Sequence, residues 1–137
     1  MLLDNFSGKK VLVTGQTGFK GTWLCSWLLE LGAEVVGIAL DPATEPSHFS
    51  SIHLSSRMKD LRIDIRDRAS VEDAIVSVQP DFVFHLAAQA LVRRSYDEPI
   101  ESWQINVLGT LHVLEALRKL DKPCAAVIVT SDKCYDN

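Results

Sequence analysis

A doubly wound α/β fold, with helices on both faces of a parallel sheet, is what this sequence predicts, on three observations. Short β-rich runs alternate with segments of helical period, those runs are continuously apolar, and the first of them opens into a glycine-rich loop. Continuous Val/Ile runs suit strands buried on both faces, as parallel strands are. The alternation supplies the helical crossovers that parallel strands require. Right-handed crossovers then wind the chain to both sides of its first strand, with a ligand site beyond the strand C-termini. The expected architecture is Rossmann-like, with five strands in the order 3-2-1-4-5.

The elements follow in chain order. VLVTG (11–15) is the first strand and its turn. GTWLCSWLLELGA (21–33) carries Trp23, Leu24, Trp27, Leu28 and Leu31 at helical spacing and stops at Gly32. VVGIAL (35–40) is the second strand. Residues 41–59 hold two prolines and six serines or threonines and read as a long irregular connection. LRIDIRD (61–67) is the third strand, and SVEDAIVSV (70–78) a helix with Ser70 as its N-cap and Asp73 three residues on. After Pro80, DFVFHLAA (81–88) is the fourth strand. From Pro99 a long helix aligns Ile100, Trp103, Val107, Leu111, Leu114 and Leu117 on one stripe. AAVIVTS (125–131) is the fifth strand. Trp23, Trp27 and Trp103 are expected to pack in the core.

Composition narrows the function classes. At 137 residues the chain is one domain, 47% apolar and 23% charged. A net charge of −4 with interspersed signs leaves no nucleic-acid footprint. The apolar runs fall short of the roughly 20 residues that span a bilayer, and MLLDNFSGKK lacks a signal pattern. Cys25, Cys124 and Cys134 are odd in number and lack metal-site spacing, which points to reduced thiols and a cytoplasmic protein. His48, His53 and His112 share no ligand spacing, so no metal site is expected, and His85 reads as a satisfied buried imidazole. Arg93 and Arg94 read equally as a phosphate-facing pair or a solvated loop.

VTGQTGFKGTW places Gly15, Gly18 and Gly21 between a strand and a helix. A dinucleotide pyrophosphate needs that combination: a tight turn, backbone close enough to donate N–H bonds, and a helix N-terminus aimed at it. Asp41, twenty residues past Gly21, stands where a carboxylate bonds the adenosine ribose. It accepts from a free 2′-hydroxyl and repels a 2′-phosphate. No Lys or Arg follows until Arg57, so NAD is expected over NADP. Asp64 and Ile65 end the third strand on the same edge, where they could reach the adenine amino group and cover the ring.

TGxxGxxG, the Asp-Ile pair, HLAA, NVLGT and a polar Thr-Ser-Asp-Lys strand end together resemble the extended short-chain dehydrogenases/reductases of the NAD-dependent epimerase/dehydratase family. LVRRSYDEP and TSDKCYDN resemble its dehydratase branch in particular. The resemblance implies CDP-glucose or a related sugar nucleotide as substrate, NAD as cofactor, and a homodimer at full length formed through the helices after the fourth and fifth strands. It implies that Thr17, Phe19 and Lys20 in the glycine loop, and Leu86, Ala87, Ala88 and Gln89 past the fourth strand, join the cofactor set, with Asn106 bracing the site from the long helix. It further implies that Ser131 bonds the C4 oxygen, Asp132 protonates the departing C6 hydroxyl, and Lys133 removes the C5 proton. Gln16 and Ala90 depart from the pattern, where His and Pro are expected. The family's Tyr-x-x-x-Lys pair is absent from these residues, as is its C-terminal sugar-nucleotide domain, so an incomplete enzyme with an exposed apolar edge is expected. A non-catalytic NAD-binding module, or an epimerase or other dehydratase, stay open as alternatives.

Overall fold

The computed structural model describes residues 5–132. Five parallel strands stand in the order β3-β2-β1-β4-β5, as the sequence predicts. They are β1 (Lys10–Thr14), β2 (Glu34–Ala39), β3 (Lys59–Arg62), β4 (Phe82–His85) and β5 (Ala125–Ile128). Val11, Leu12, Val13 and Val83 are wholly buried because helices cover both faces of the central strands. One core holds Val11, Val13, Cys25, Leu28, Phe49 and Leu54, under α1 (Phe19–Glu30) and the short α2 (His48–Ser51). The other holds Leu12, Ile38, Ile65, Val71, Ile75, Val113 and Ala116, under α3 (Arg68–Val78) and the long helical stretch before β5.

The irregular connection expected at 41–59 contains two short helical turns, α2 and Leu54–Ser56. Each uses its apolar residue, Phe49 or Leu54, as an anchor in the core. The helix expected at 70–78 starts two residues earlier. Asp67, not Ser70, is the cap: its carboxylate accepts from Ser70 N at 3.2 Å and from Ser70 Oγ at 2.6 Å. An aspartate that can take both bonds caps more completely than the serine that donates them.

The long helix is divided into α4 (Val92–Asp97), α5 (Pro99–Trp103), a π-helical turn (Gln104–Gly109) and α6 (Thr110–Leu117). Most of its expected stripe faces outward: Ile100, Trp103, Val107, Leu111 and Leu114 are exposed, and Leu117 packs against the core. Ser102, Gly109, Val113 and Ala116 face inward instead. The reason is the spacing to the neighbouring loop, since a Cβ on Gly109 would sit 2.6 Å from Ile65 Cδ1. The same correction applies to α1. Trp23 (57% exposed) and Trp27 (59%) look outward, and Gly21, Thr22, Cys25 and Leu28 face the sheet. None of the three tryptophans belongs to the core.

Candidate cofactor and active site

All five strands point their C-termini the same way, so the glycine loop, Asp41, Asp64, the segment after β4 and Ser131 collect along one sheet edge. Gly15 has φ 81°, and a Cβ there would meet Ala87 N at 2.9 Å. A Cβ on Gly21 would sit 2.0 Å from Gly15 O, so the helix can approach the loop this closely only with glycine at that position. Gly18 differs: its Cβ direction is open except for Gly15 O at 3.4 Å. It is also the N-cap of α1, with no side chain capping the helix and no acidic residue in the first turn. The open side of the loop is therefore the one where a helix N-terminus meets solvent, the arrangement that receives an anion. Lys20 and Phe19 are exposed beside it.

Gln16 is fully buried, and its Nε2 donates to Asp60 Oδ1 at 2.9 Å, which ties the loop to β3 across β2. Thr17 Oγ1 donates to Leu40 O at 3.0 Å, tying it to the end of β2. Arg62, the last residue of β3, donates from Nη1 to that same carbonyl at 2.9 Å and from Nη2 to Asp60 Oδ2 at 2.8 Å. Its Nε lies 3.6 Å from Asp41 Oδ1. Sequence reasoning singled out Arg57 as the nearest cation after Asp41, but Arg57 pairs with Glu30 at 2.7 Å. Arg62 was missed because a parallel register brings it beside Ala39, twenty-three positions away in sequence, and only strand pairing shows that.

Asp64 and Ile65 lie just past β3 rather than within it. The Asp64 carboxylate accepts from Arg66 N, Nε and Nη2, and these bonds hold its pKa below the usual carboxylate value. Arg66 in turn contacts Glu101 at 3.4 Å, and Glu101 pairs with Arg94 at 2.6 Å, so this edge is bound to α4 and α5. Arg94 thus belongs to an ion-pair chain. Ile65 turns into the core against Gly109, not over the edge.

Beyond β4 a chain of hydrogen bonds fixes the crevice wall. Thr14 Oγ1 accepts from Leu86 N and Ala87 N, both at 3.1 Å, so its single proton goes to His85 Nδ1 at 2.7 Å. The imidazole proton is then on Nε2, which donates to Thr110 Oγ1 at 3.0 Å, and Thr110 donates to Asn106 O at 2.7 Å. Burial lowers the His85 pKa, so the ring stays neutral in this relay. His85 is the satisfied buried imidazole that the sequence suggested. Asn106 grips Gln89 twice, accepting from its N–H at 2.8 Å and donating to its carbonyl at 3.0 Å. The Gln89 side chain is held by Leu91 and Ser102. Asn106 sits inside the π-helical turn, a local widening frequent at functional sites.

Ser131 and Asp132 follow β5 on the same edge, exposed, with Ser131 Oγ donating to Asp132 Oδ1 at 3.3 Å. Lys133 and Cys134 lie outside the described residues. Burial, with a lesser push from the Asp60 charge, raises the Cys25 thiol to about 12, so it is inert. Among the described residues no cluster could hold a metal ion, and no helix is long and apolar enough to cross a membrane.

Fold and loop together define a Rossmann-type nucleotide-binding class of α/β domain. Within it, the chain belongs to the GDP-mannose 4,6 dehydratase family, whose model matches residues 12–137. It is 50% identical over its whole length to CDP-glucose 4,6-dehydratase of Salmonella typhimurium, and covers 38% of that relative. Among solved structures, UDP-glucose 4-epimerase of Thermus thermophilus, in complex with NAD, superposes with a TM-score of 0.69 at 35% identity, over 80% of this chain and 34% of that one. The Stenotrophomonas maltophila UDP-glucose-4-epimerase, with bound NAD and formylated UDP-arabinopyranose, gives 0.77 at 25% identity, over 91% and 38%. The chain thus spans between 34% and 38% of the length of these three relatives.

Proposed function

We propose that this chain is the cofactor-binding part of an NAD-dependent CDP-glucose 4,6-dehydratase, which converts CDP-glucose to CDP-4-keto-6-deoxyglucose and water. The observation that carries the reading is the 50% identity to the Salmonella enzyme across the full chain, where a probable dTDP-glucose 4,6-dehydratase and a GDP-mannose 4,6-dehydratase reach 36%. The residues fit the cofactor. Gly18 leaves the approach to an uncapped helix N-terminus open, and Asp41, with its side chain 89% exposed, presents a carboxylate to a ribose. NAD held there by the glycine loop and Asp41 would supply a hydride acceptor for sugar C4 and, once reduced, a hydride donor for C6.

The protein's own groups do the rest. Gly15, Thr17, Gly18, Phe19, Lys20 and Gly21 form the pyrophosphate cradle, and Asp41 and Asp64 face the adenosine. Leu86, Ala87 and Ala88 border the cofactor, and Gln89, held by Asn106, lies at its nicotinamide end. Ser131 hydrogen-bonds the C4 oxygen. Once C4 is a ketone the C5 proton is acidic, and Lys133 removes it while Asp132 protonates the leaving C6 hydroxyl. A lysine base requires a lowered pKa, by desolvation or a neighbouring cation. These 137 residues by themselves bind NAD and turn over no sugar nucleotide, because they contain no Tyr-x-x-x-Lys.

The outward stripe of Ile100, Trp103, Val107, Leu111 and Leu114 is a homodimer face of the full-length enzyme, since a helix apolar on both sides requires a partner on each. Such an enzyme works in the cytoplasm and feeds deoxysugar synthesis for lipopolysaccharide. Offered CDP-, dTDP- and UDP-glucose, a full-length polypeptide built on these residues loses water from CDP-glucose far faster than from the others. Turnover of UDP-glucose alone, without loss of water, contradicts the reading in favour of an epimerase.

A further inference from the structure

Arg62 has a place in the fold that its distance from Asp41 in sequence hides. Its guanidinium lies across the C-terminal end of β2, bonded to Leu40 O and Asp60 and 3.6 Å from the Asp41 carboxylate. The Phe49 ring lies beneath it, 5.1 Å from centroid to Cζ, and limits how far it can swing. About a third of the Arg62 side chain remains exposed (36%), and the Asp41 side chain beside it is 89% exposed. A planar fork of donors at the edge of a ribose site is the group that receives a 2′-phosphate in NADP-binding proteins of this architecture. Here it is outnumbered: Asp41 and Asp60 both contact it, and the cluster carries one net negative charge.

We propose that Arg62 is a second determinant of cofactor choice, a latent 2′-phosphate ligand that Asp41 keeps neutralised. This rests on the dinucleotide reading above. The chain prefers a free 2′-hydroxyl because Asp41 occupies and offsets a cation already in place, not because a cation is lacking. Replacing Asp41 removes the repulsion and one of the two counter-charges on the guanidinium in one step. Asp60, fixed by Gln16, keeps Arg62 anchored at the edge after that change. A purely structural Arg62, serving only to tie Leu40 to Asp60, would give no coupling between residue 62 and the 2′-substituent.

The test is a double-mutant cycle read by calorimetric titration of NAD and NADP, with circular dichroism to show that each variant is folded. Asp41→Ser raises NADP affinity relative to NAD by about tenfold to a hundredfold, the usual worth of a charge-assisted phosphate contact. In Asp41→Ser/Arg62→Gln that gain disappears while NAD binding is little changed from Asp41→Ser, and Asp41→Ser/Arg62→Lys restores part of it. An equal gain with and without Arg62 overturns the proposal, as does no gain in Asp41→Ser that still binds NAD. If the unaltered chain binds neither cofactor, the dinucleotide reading itself has failed and this inference falls with it.

Discussion

The two helical layers reach close packing by the same device but leave different outer surfaces. Under α1 the glycine loop is met by Gly21 and Thr22 and the core by Cys25, and the outward Trp23 lies against His48 of α2, with centroids 4.7 Å apart and the rings tilted by 51°. Under the long helix, Ser102, Gly109, Val113 and Ala116 meet the sheet, and a whole apolar stripe is left outward. In α1 and in the long helix the closest contact falls on a glycine, Gly21 or Gly109, while the tryptophans lie on the exterior. The lesson is that helix-period hydrophobicity locates a stripe, whereas the closeness of approach decides which stripe goes in.

The severest test of that contrast is Gly21→Val. Its Cβ has only 2.0 Å to a backbone oxygen, and the change should cost about 3 kcal/mol or more, seen as loss of the folded baseline in urea titration. Thr14→Val is next. It keeps the shape but leaves Ala87 N–H and His85 Nδ1 without the hydroxyl that serves both, at roughly 2 to 4 kcal/mol.

A smaller effect is the pH dependence of His85. Burial depresses its folded pKa below 6.5, so the unfolded chain binds the proton first. Stability is then complete above about pH 6.5 and falls as pH drops from there through the folded value, whereas Asp64, whose pKa is lowered, contributes a slope only below 3.8. Thermal melts between pH 7.5 and 5 should show this slope, and His85→Gln should flatten it. Smallest for stability is Trp103→Ser, which should shift unfolding by no more than about 0.5 kcal/mol because the ring is 67% exposed. The same substitution should sharply weaken self-association in sedimentation runs, and a large loss of stability with no change in association would put Trp103 back in the core.

Strand positions and sheet order were readable from the sequence because strands buried on both faces must be apolar throughout, as at Val11–Val13 and Val35–Val36. The glycine loop was readable because steric need leaves few residue choices at Gly15 and Gly21. The orientation of α1 and the long helix was not, since Trp and Leu stripes and Gly/Ser/Ala stripes both recur at helical spacing. Nor was the role of Arg62, whose proximity to Asp41 depends on the pairing of Ala39 with Arg62 and on nothing local. Asp67 took the cap from Ser70 although both residue types suit that position, because its carboxylate accepts from both Ser70 N and Ser70 Oγ.

Calorimetric titration of this chain with NAD, alongside Gly18→Val, tests the dinucleotide reading most directly. Gly18 has extended backbone and open space around its Cβ, so valine there leaves the fold intact while filling the approach to the α1 N-terminus. The expected result is saturable one-site binding of NAD that the variant abolishes without loss of its circular dichroism. Binding of equal strength in both proteins, or no saturable heat from the unaltered chain, would contradict it.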